Sequence, residues 1–144
     1  MIYILGVIFS IIAGAAMSLQ GVFNTRLNES IGLYEANTFV QGTAFIFSLI
    51  AMAILGKGNF AAIADVNKLY LTGGLIGLII TITVMLGIQH LSPTVSISVI
   101  LISQLTVAAV IDAFGLFGAE KMAFGLTKYI GLALMVIGII IFKR

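Results

Sequence analysis

Polar side chains recur at helical spacing inside otherwise apolar stretches of this chain, and these are the residues with chemistry to offer. Gln20 and Asn24 lie one helical turn apart, and Asn37 and Gln41 repeat that spacing. Further on, Ser96, Ser103 and Thr106 fall roughly on one stripe of a helix, with Gln104, Ala108 and Asp112 on another. Carboxamides both donate and accept hydrogen bonds, so Gln20, Asn24, Gln41 and Gln104, with Ser103, suit an uncharged or zwitterionic polar ligand. Asp112 is the carboxylate set clearly inside an apolar run, Val107 to Phe117. A lone carboxylate at membrane depth needs a partner. It reads either as a substrate or proton site or as a tie between helices. Gln104 likewise reads as pathway lining or as a bridge between two helices. Thr81, Thr83 and Ser98 read as structural, because such hydroxyls bond the carbonyl one turn back. The chain has no cysteine and one histidine, His90. No metal-ligand cluster and no nucleophile–base set is legible, so neither an enzyme nor a cofactor is expected.

The elements that position these residues must be membrane spans. The 144 residues are 61% hydrophobic and only 8% charged, more apolar surface than a soluble domain of this size can hide. Roughly 20 mostly apolar residues cross a bilayer. Five such segments are expected, at about 2–23, 34–55, 69–91, 93–116 and 129–142, forming one all-α integral membrane domain. The first reads as a span rather than a removable signal, since no basic stretch precedes it. Asn28 to Gly32 reads as a polar turn, and Gly56-Lys57-Gly58-Asn59 as a break followed by a short interfacial helix over 60–65. Ser92-Pro93 reads as an N-cap followed by proline at the first helical position, so the third and fourth spans are expected to form a tight hairpin. Tyr3, Tyr34, Tyr70 and Tyr129 all fall at expected helix starts, where headgroups favour tyrosine.

Five spans put the termini on opposite sides. Lys57, Lys68, Lys121 and Lys128 then share the side of the N-terminus, and Arg26, Lys143 and Arg144 the other. Orientation follows an excess of Lys and Arg on the cytoplasmic side, and four against three is hardly an excess. Such a chain is expected to insert both ways up and to pair as an antiparallel homodimer. An oppositely oriented paralogue is the alternative partner. The net charge of +2 is scattered without a basic run, so no nucleic-acid partner is expected. No internal repeat is legible, so any inverted repeat must come from a second chain.

Small residues mark expected contacts. Gly6, Ser10, Gly14 and Ser18 recur every four residues, and Gly73 and Gly77 lie four apart. Small residues let helix backbones approach closely in lipid. These two sets are expected to pack helices, whereas Gly131 and Gly138 in the last span are expected at a dimer interface. In an antiparallel dimer, Arg26 of one copy would sit near the level of Asp112 of the other, making an inter-protomer ion pair possible. The competing reading is that Arg26 reaches back to the headgroups. Glu35 reads as structural, favoured near a helix N-terminus, and His90 as an interfacial polar residue.

Several of these segments resemble a known family. Residues 20–27 (Gln-Gly-Val-Phe-Asn-Thr-Arg-Leu), Phe39-Val40-Gln41-Gly42, 73–77 (Gly-Gly-Leu-Ile-Gly) and Gln104 with 111–118 (Ile-Asp-Ala-Phe-Gly-Leu-Phe-Gly) are similar to the YdcZ-like branch of the drug/metabolite transporter (DMT) superfamily. These are small bacterial inner-membrane exporters. Family members often carry His between the Asp and the Phe, where this chain has Ala113. The last span also resembles the dimerisation helix of small multidrug resistance transporters. Those place an essential Glu in their first helix, which this chain lacks, so that coupling does not carry over. The resemblance implies a multi-pass protein of the bacterial inner membrane and half of a ten-helix inverted-repeat transporter, completed by antiparallel dimerisation.

The combined expectation is a transporter, an exporter of a small polar molecule by alternating access. An antiparallel dimeric ion channel and a non-transporting membrane assembly protein are the rivals. A channel would show flux without saturating exchange. An assembly protein would tolerate loss of the polar residues but not of the glycine stripes.

Overall fold

The computed structural model describes residues 2–122 and 125–142. All regular structure among them is helical. Helix α1 spans Ile2–Ile31, α2 Leu33–Leu55, α3 Gly73–His90, α4 Pro93–Phe114 and α5 Leu126–Phe142. Short 3₁₀ turns cover Phe60–Ala64, Lys68–Thr72 and Leu116–Gly118. Four segments are long and apolar enough to cross a membrane: Ile2–Ile31, Leu33–Leu55, Lys68–His90 and Pro93–Phe114. Helix α5 is apolar but has only 17 residues.

Local chemistry accounts for the helix ends. Helix α1 does not stop where its apolar run ends at Phe23; it continues through Asn24 to Ser30, so Asn28 to Ile31 are helical and not a turn. The break is the single residue Gly32. Its φ of 101° and ψ of 156° are open only to glycine at no steric cost. Its N–H donates to the Asn28 carbonyl at 2.9 Å, while its carbonyl accepts from the Ala36 N–H at 3.0 Å. One residue therefore closes one helix and opens the next. After α2 the Asn59 side chain accepts from the Ala61 N–H at 3.0 Å, and Asn67 accepts from Leu69 at 3.0 Å, each capping a 3₁₀ turn. Ser92 accepts from the Val95 N–H at 3.3 Å with Pro93 at the first helical position of α4. Gly115, left-handed, caps the far end by donating to the Ile111 carbonyl.

The chain divides into two units. The first, up to His90, contains α1, α2 and α3, each packed against the other two. Its core gathers at one end, around Gly21 of α1, Ala36 of α2, and Met85 and Ile88 of α3. A Cβ on Gly21 would stand 2.9 Å from Ile88 Cδ1 and 3.2 Å from Val84 Cγ1, so this glycine admits the close approach of α3. Away from that end the helices present apolar side chains outward, from Ile2 to Ile12 on α1 and from Phe45 to Leu55 on α2. The second unit, from Leu91 onward, is built on α4 packed against α5.

The small-residue stripe of α1 lies on this outward surface. A Cβ on Gly6 or Gly14 would meet nothing within 4 Å, nor would one on Gly73. Ser10 and Ser18 donate to the carbonyls of Gly6 and Gly14 at 2.9 and 3.0 Å. Gly77 has a neighbour, the Gln41 amide nitrogen, 3.7 Å from where its Cβ would stand. The four tyrosines lie in or just before the opening turns of their helices, all exposed.

Candidate functional site: an amide cluster and a charged groove

The end of the first unit that carries its core is unusually polar. Asn24, Thr25 and Asn28 of α1 and Asn37 of α2 are all buried. Thr25 donates to the Gly21 carbonyl at 2.8 Å and so satisfies itself within its helix. Asn28 Nδ2 donates across to Gln89 Oε1 of α3 at 3.2 Å. Asn37 is only 4% exposed, and its Oδ1 has no hydrogen-bond partner. A buried acceptor left unmade costs about 1–3 kcal/mol.

Of the expected lining residues, this unit holds three. Asn24 is buried, Gln41 is half-buried facing Gly77, and Gln20 is exposed although it lies one turn from Asn24. Asn28 and Gln89 were not expected here. Asn28 continues the four-residue spacing of Gln20 and Asn24, a signal present in the sequence but masked by the turn-like composition of Asn28-Glu29-Ser30-Ile31-Gly32. Gln89, beside His90 at the end of an apolar run, carries no such signal.

Arg26 points away from this cluster. Its Nη1 pairs with Glu29 Oε2 at 2.8 Å, one turn along the same helix, with the Arg26 side chain 76% exposed. Glu35 sits in the first turn of α2 and His90 in the last turn of α3.

The other three expected lining residues, Ser103, Gln104 and Asp112, are on α4 in the second unit. Ser103 and Gln104 are exposed, and Asp112 is half-buried. The hydroxyls of Ser98 and Thr106 donate to the carbonyls of Thr94 and Ile102, at 2.7 and 2.8 Å, and those of Thr81 and Thr83 on α3 to Gly77 and Ile79. The Asp112 carbonyl accepts from the Met122 N–H at 2.9 Å, folding the segment after α4 back onto the helix end. The Asp112 side chain lines a groove of about 480 Å³ between α4 and α5, with Leu105, Ala108, Lys128, Gly131 and Met135. A second groove of about 210 Å³ meets it at Met135 and runs past Thr94, Ser98, Gly138 and Phe142. Both glycines expected at a dimer interface therefore line the α4–α5 grooves, and a Cβ on either would meet nothing within 4 Å. Lys143 and Arg144 lie outside the described residues. Among the described residues no group of three or more His, Cys, Asp or Glu could hold a metal ion.

Comparison with known proteins gives one match. The profile of the family described as "Putative inner membrane exporter, YdcZ" matches residues 5–141. No curated protein and no solved structure matches the chain.

Proposed function

Because this chain belongs to the YdcZ family of inner membrane exporters, we propose that it exports a small polar molecule as one half of an antiparallel, dual-topology homodimer. Membership supports a transporter role in general. The finer reading draws on the amide cluster of the first unit. Its Asn24, Asn37 and Gln41 lie on α1 and α2, and one buried acceptor among them, Asn37 Oδ1, lacks a donor. That unmet acceptor is the observation that carries the reading. A polar solute bearing N–H or O–H groups would supply the donor, and uncharged amide walls would hold it without strong charge trapping. Ser103, Gln104 and Asp112 are carried separately, by α4 of the second unit.

The opposed dimer is supported by what the chain leaves uncovered. The Gly6-Ser10-Gly14-Ser18 stripe has close-packing character, and a Cβ on Gly6, Gly14, Gly131 or Gly138 would meet nothing within 4 Å. A second, inverted copy would cover them and supply the missing half. Alternating access would follow from one half rocking against the other about a midplane site. In such a dimer Arg26 could exchange Glu29 for Asp112 of the opposed copy.

Topology is the deciding experiment. Arg144→Cys in this cysteine-free chain is labelled from one side of intact cells. About half the molecules are expected to label, the rest only after permeabilisation, as near-balanced loop charge requires. Labelling of every molecule, or of none, before permeabilisation would end the homodimer reading in favour of an oppositely oriented partner. Saturable, exchangeable flux in proteoliposomes separates the transporter from a channel.

A further inference from the structure

Residues 56–67 join two segments long and apolar enough to cross a membrane, Leu33–Leu55 and Lys68–His90. With both ends held at one face of the bilayer, this connection lies at the membrane surface whichever way up the chain inserts. Every residue of it is exposed, including three large apolar ones: Phe60 at 74%, Ile63 at 48% and Val66 at 42%. Phe60 and Ile63 lie on one line of a 3₁₀ turn, which repeats every three residues. Val66 follows three residues on, and all three line one open groove of about 280 Å³, so they share a face. A second groove of about 380 Å³ runs from Phe60 past Gly58 and Gly56 to Met52 in the last turn of α2. It joins that face to the surface of a spanning helix. Lys57 stands just past the end of α2 and Lys68 opens the next spanning segment, both exposed, with Asp65 the one acid between them. Much of the backbone is paired internally. Asn59 and Asn67 side chains accept from Ala61 and Leu69, and the N–H groups of Ala62 and Asp65 donate to Asn59 and Ala62 carbonyls. A segment so paired leaves bulk water for the headgroup layer at little cost.

We infer that residues 56–68 form a docking surface for anionic phospholipid. Phe60, Ile63 and Val66 enter the boundary between headgroups and acyl chains, as the apolar face of an interfacial segment does. The ammonium groups of Lys57 and Lys68 reach the lipid phosphates and anionic headgroups on either flank. Size argues for lipid over a protein occupant. Three side chains at no more than about 250 Å² each fall short of the roughly 800 Å² per partner that a stable protein interface buries. Charge then selects among lipids. One lysine near the surface favours an anionic over a zwitterionic headgroup by about fivefold. Two lysines against one aspartate leave the preference of a single positive charge. This surface is independent of what the protein transports and of how its copies pair.

The chain has no tryptophan, so Phe60→Trp places a single reporter on this face. The purified full chain is reconstituted in phosphatidylcholine vesicles carrying the same mole fraction of either brominated phosphatidylglycerol or brominated phosphatidylcholine. Both leaflets share one composition, so orientation does not affect the readout. Blue-shifted emission is expected, with quenching that reports about fivefold local enrichment of phosphatidylglycerol. Lys57→Gln combined with Lys68→Gln should abolish the enrichment while quenching by phosphatidylcholine persists. Asp65→Asn should raise it several-fold, a gain that misfolding does not produce. Ile63→Trp repeats the measurement if Phe60→Trp loses helix content. Equal quenching by the two lipids, unmoved by the charge substitutions, would overturn the inference and leave ordinary lipid contact. Emission like that of indole in water, open to acrylamide but not to brominated lipid, would overturn it by placing the face in solvent. Shielding from both quenchers would overturn it in favour of a protein covering the face.

Discussion

Asn37 concentrates the question of function in one atom. Its Oδ1 is buried without a donor, whereas Asn28 four residues before Gly32 has found Gln89. The two asparagines therefore predict opposite stability effects. Asn37→Leu removes an unsatisfied acceptor and is expected to leave the melting temperature in detergent unchanged or raise stability by about 1 kcal/mol. Under the transport reading the same substitution abolishes most export. Asn28→Leu breaks a made bond and is expected to cost about 1 kcal/mol. A large loss of stability in Asn37→Leu with export intact would show that Asn37 is a packing residue. Arg26→Ala should change stability by no more than about 1 kcal/mol, because its partnership with Glu29 is an exposed pair within one helix. The amide positions were legible in the sequence through their four-residue spacing. Their burial was not, because Gln20 and Asn24 share a spacing yet differ in exposure, and only the approach of α3 at Gly21 decides which is covered.

At the scale of the element, helices were easier to read than the way they end. The apolar runs announce α1 to α4, and Ser92-Pro93 announces the start of α4, because hydropathy and capping are local properties. The continuation of α1 to Ile31 was hidden. Polar composition looks like a turn, but a polar helical stretch is stable where neighbouring helices pack on it, as α3 does here. Gly32 is the residue on which this joint depends. Gly32→Ala is expected to destabilise the first unit by about 1–3 kcal/mol, since alanine is strained at φ 101°. Ser92→Ala removes a single cap bond and is expected to cost about 1 kcal/mol. Thermal unfolding of the purified variants in detergent checks both, with the glycine substitution the more damaging. Among the small residues, spacing identified the stripe of α1 but not its neighbour. The glycine that meets another helix closely is Gly21, three residues past the end of that stripe.

For the whole molecule, family membership and four spanning-length helices place this chain among inner membrane exporters. The uncovered glycines make a prediction about assembly. Gly14→Leu should leave the folded monomer intact, because nothing beyond its own helix backbone lies within 4 Å of the new Cβ, but should abolish a cross-linkable dimer under the opposed-pair reading. Cross-linking in native membranes, with helix content measured alongside, tests this; an unchanged dimer would remove the stripe from the interface. Helix lengths carry a further consequence. At 1.5 Å per residue the apolar run of α1, up to Phe23, reaches about 33 Å and the 17 residues of α5 about 26 Å, against a hydrocarbon thickness near 30 Å. Where α5 crosses the bilayer, the membrane thins around it or its flanking residues reach out to the headgroups, each an elastic load on the surrounding lipid. Bilayer thickness thereby becomes a control parameter. Reconstitution in progressively longer-chain phosphatidylcholines should shift the protein's activity through a maximum, set by the shortest helix it has.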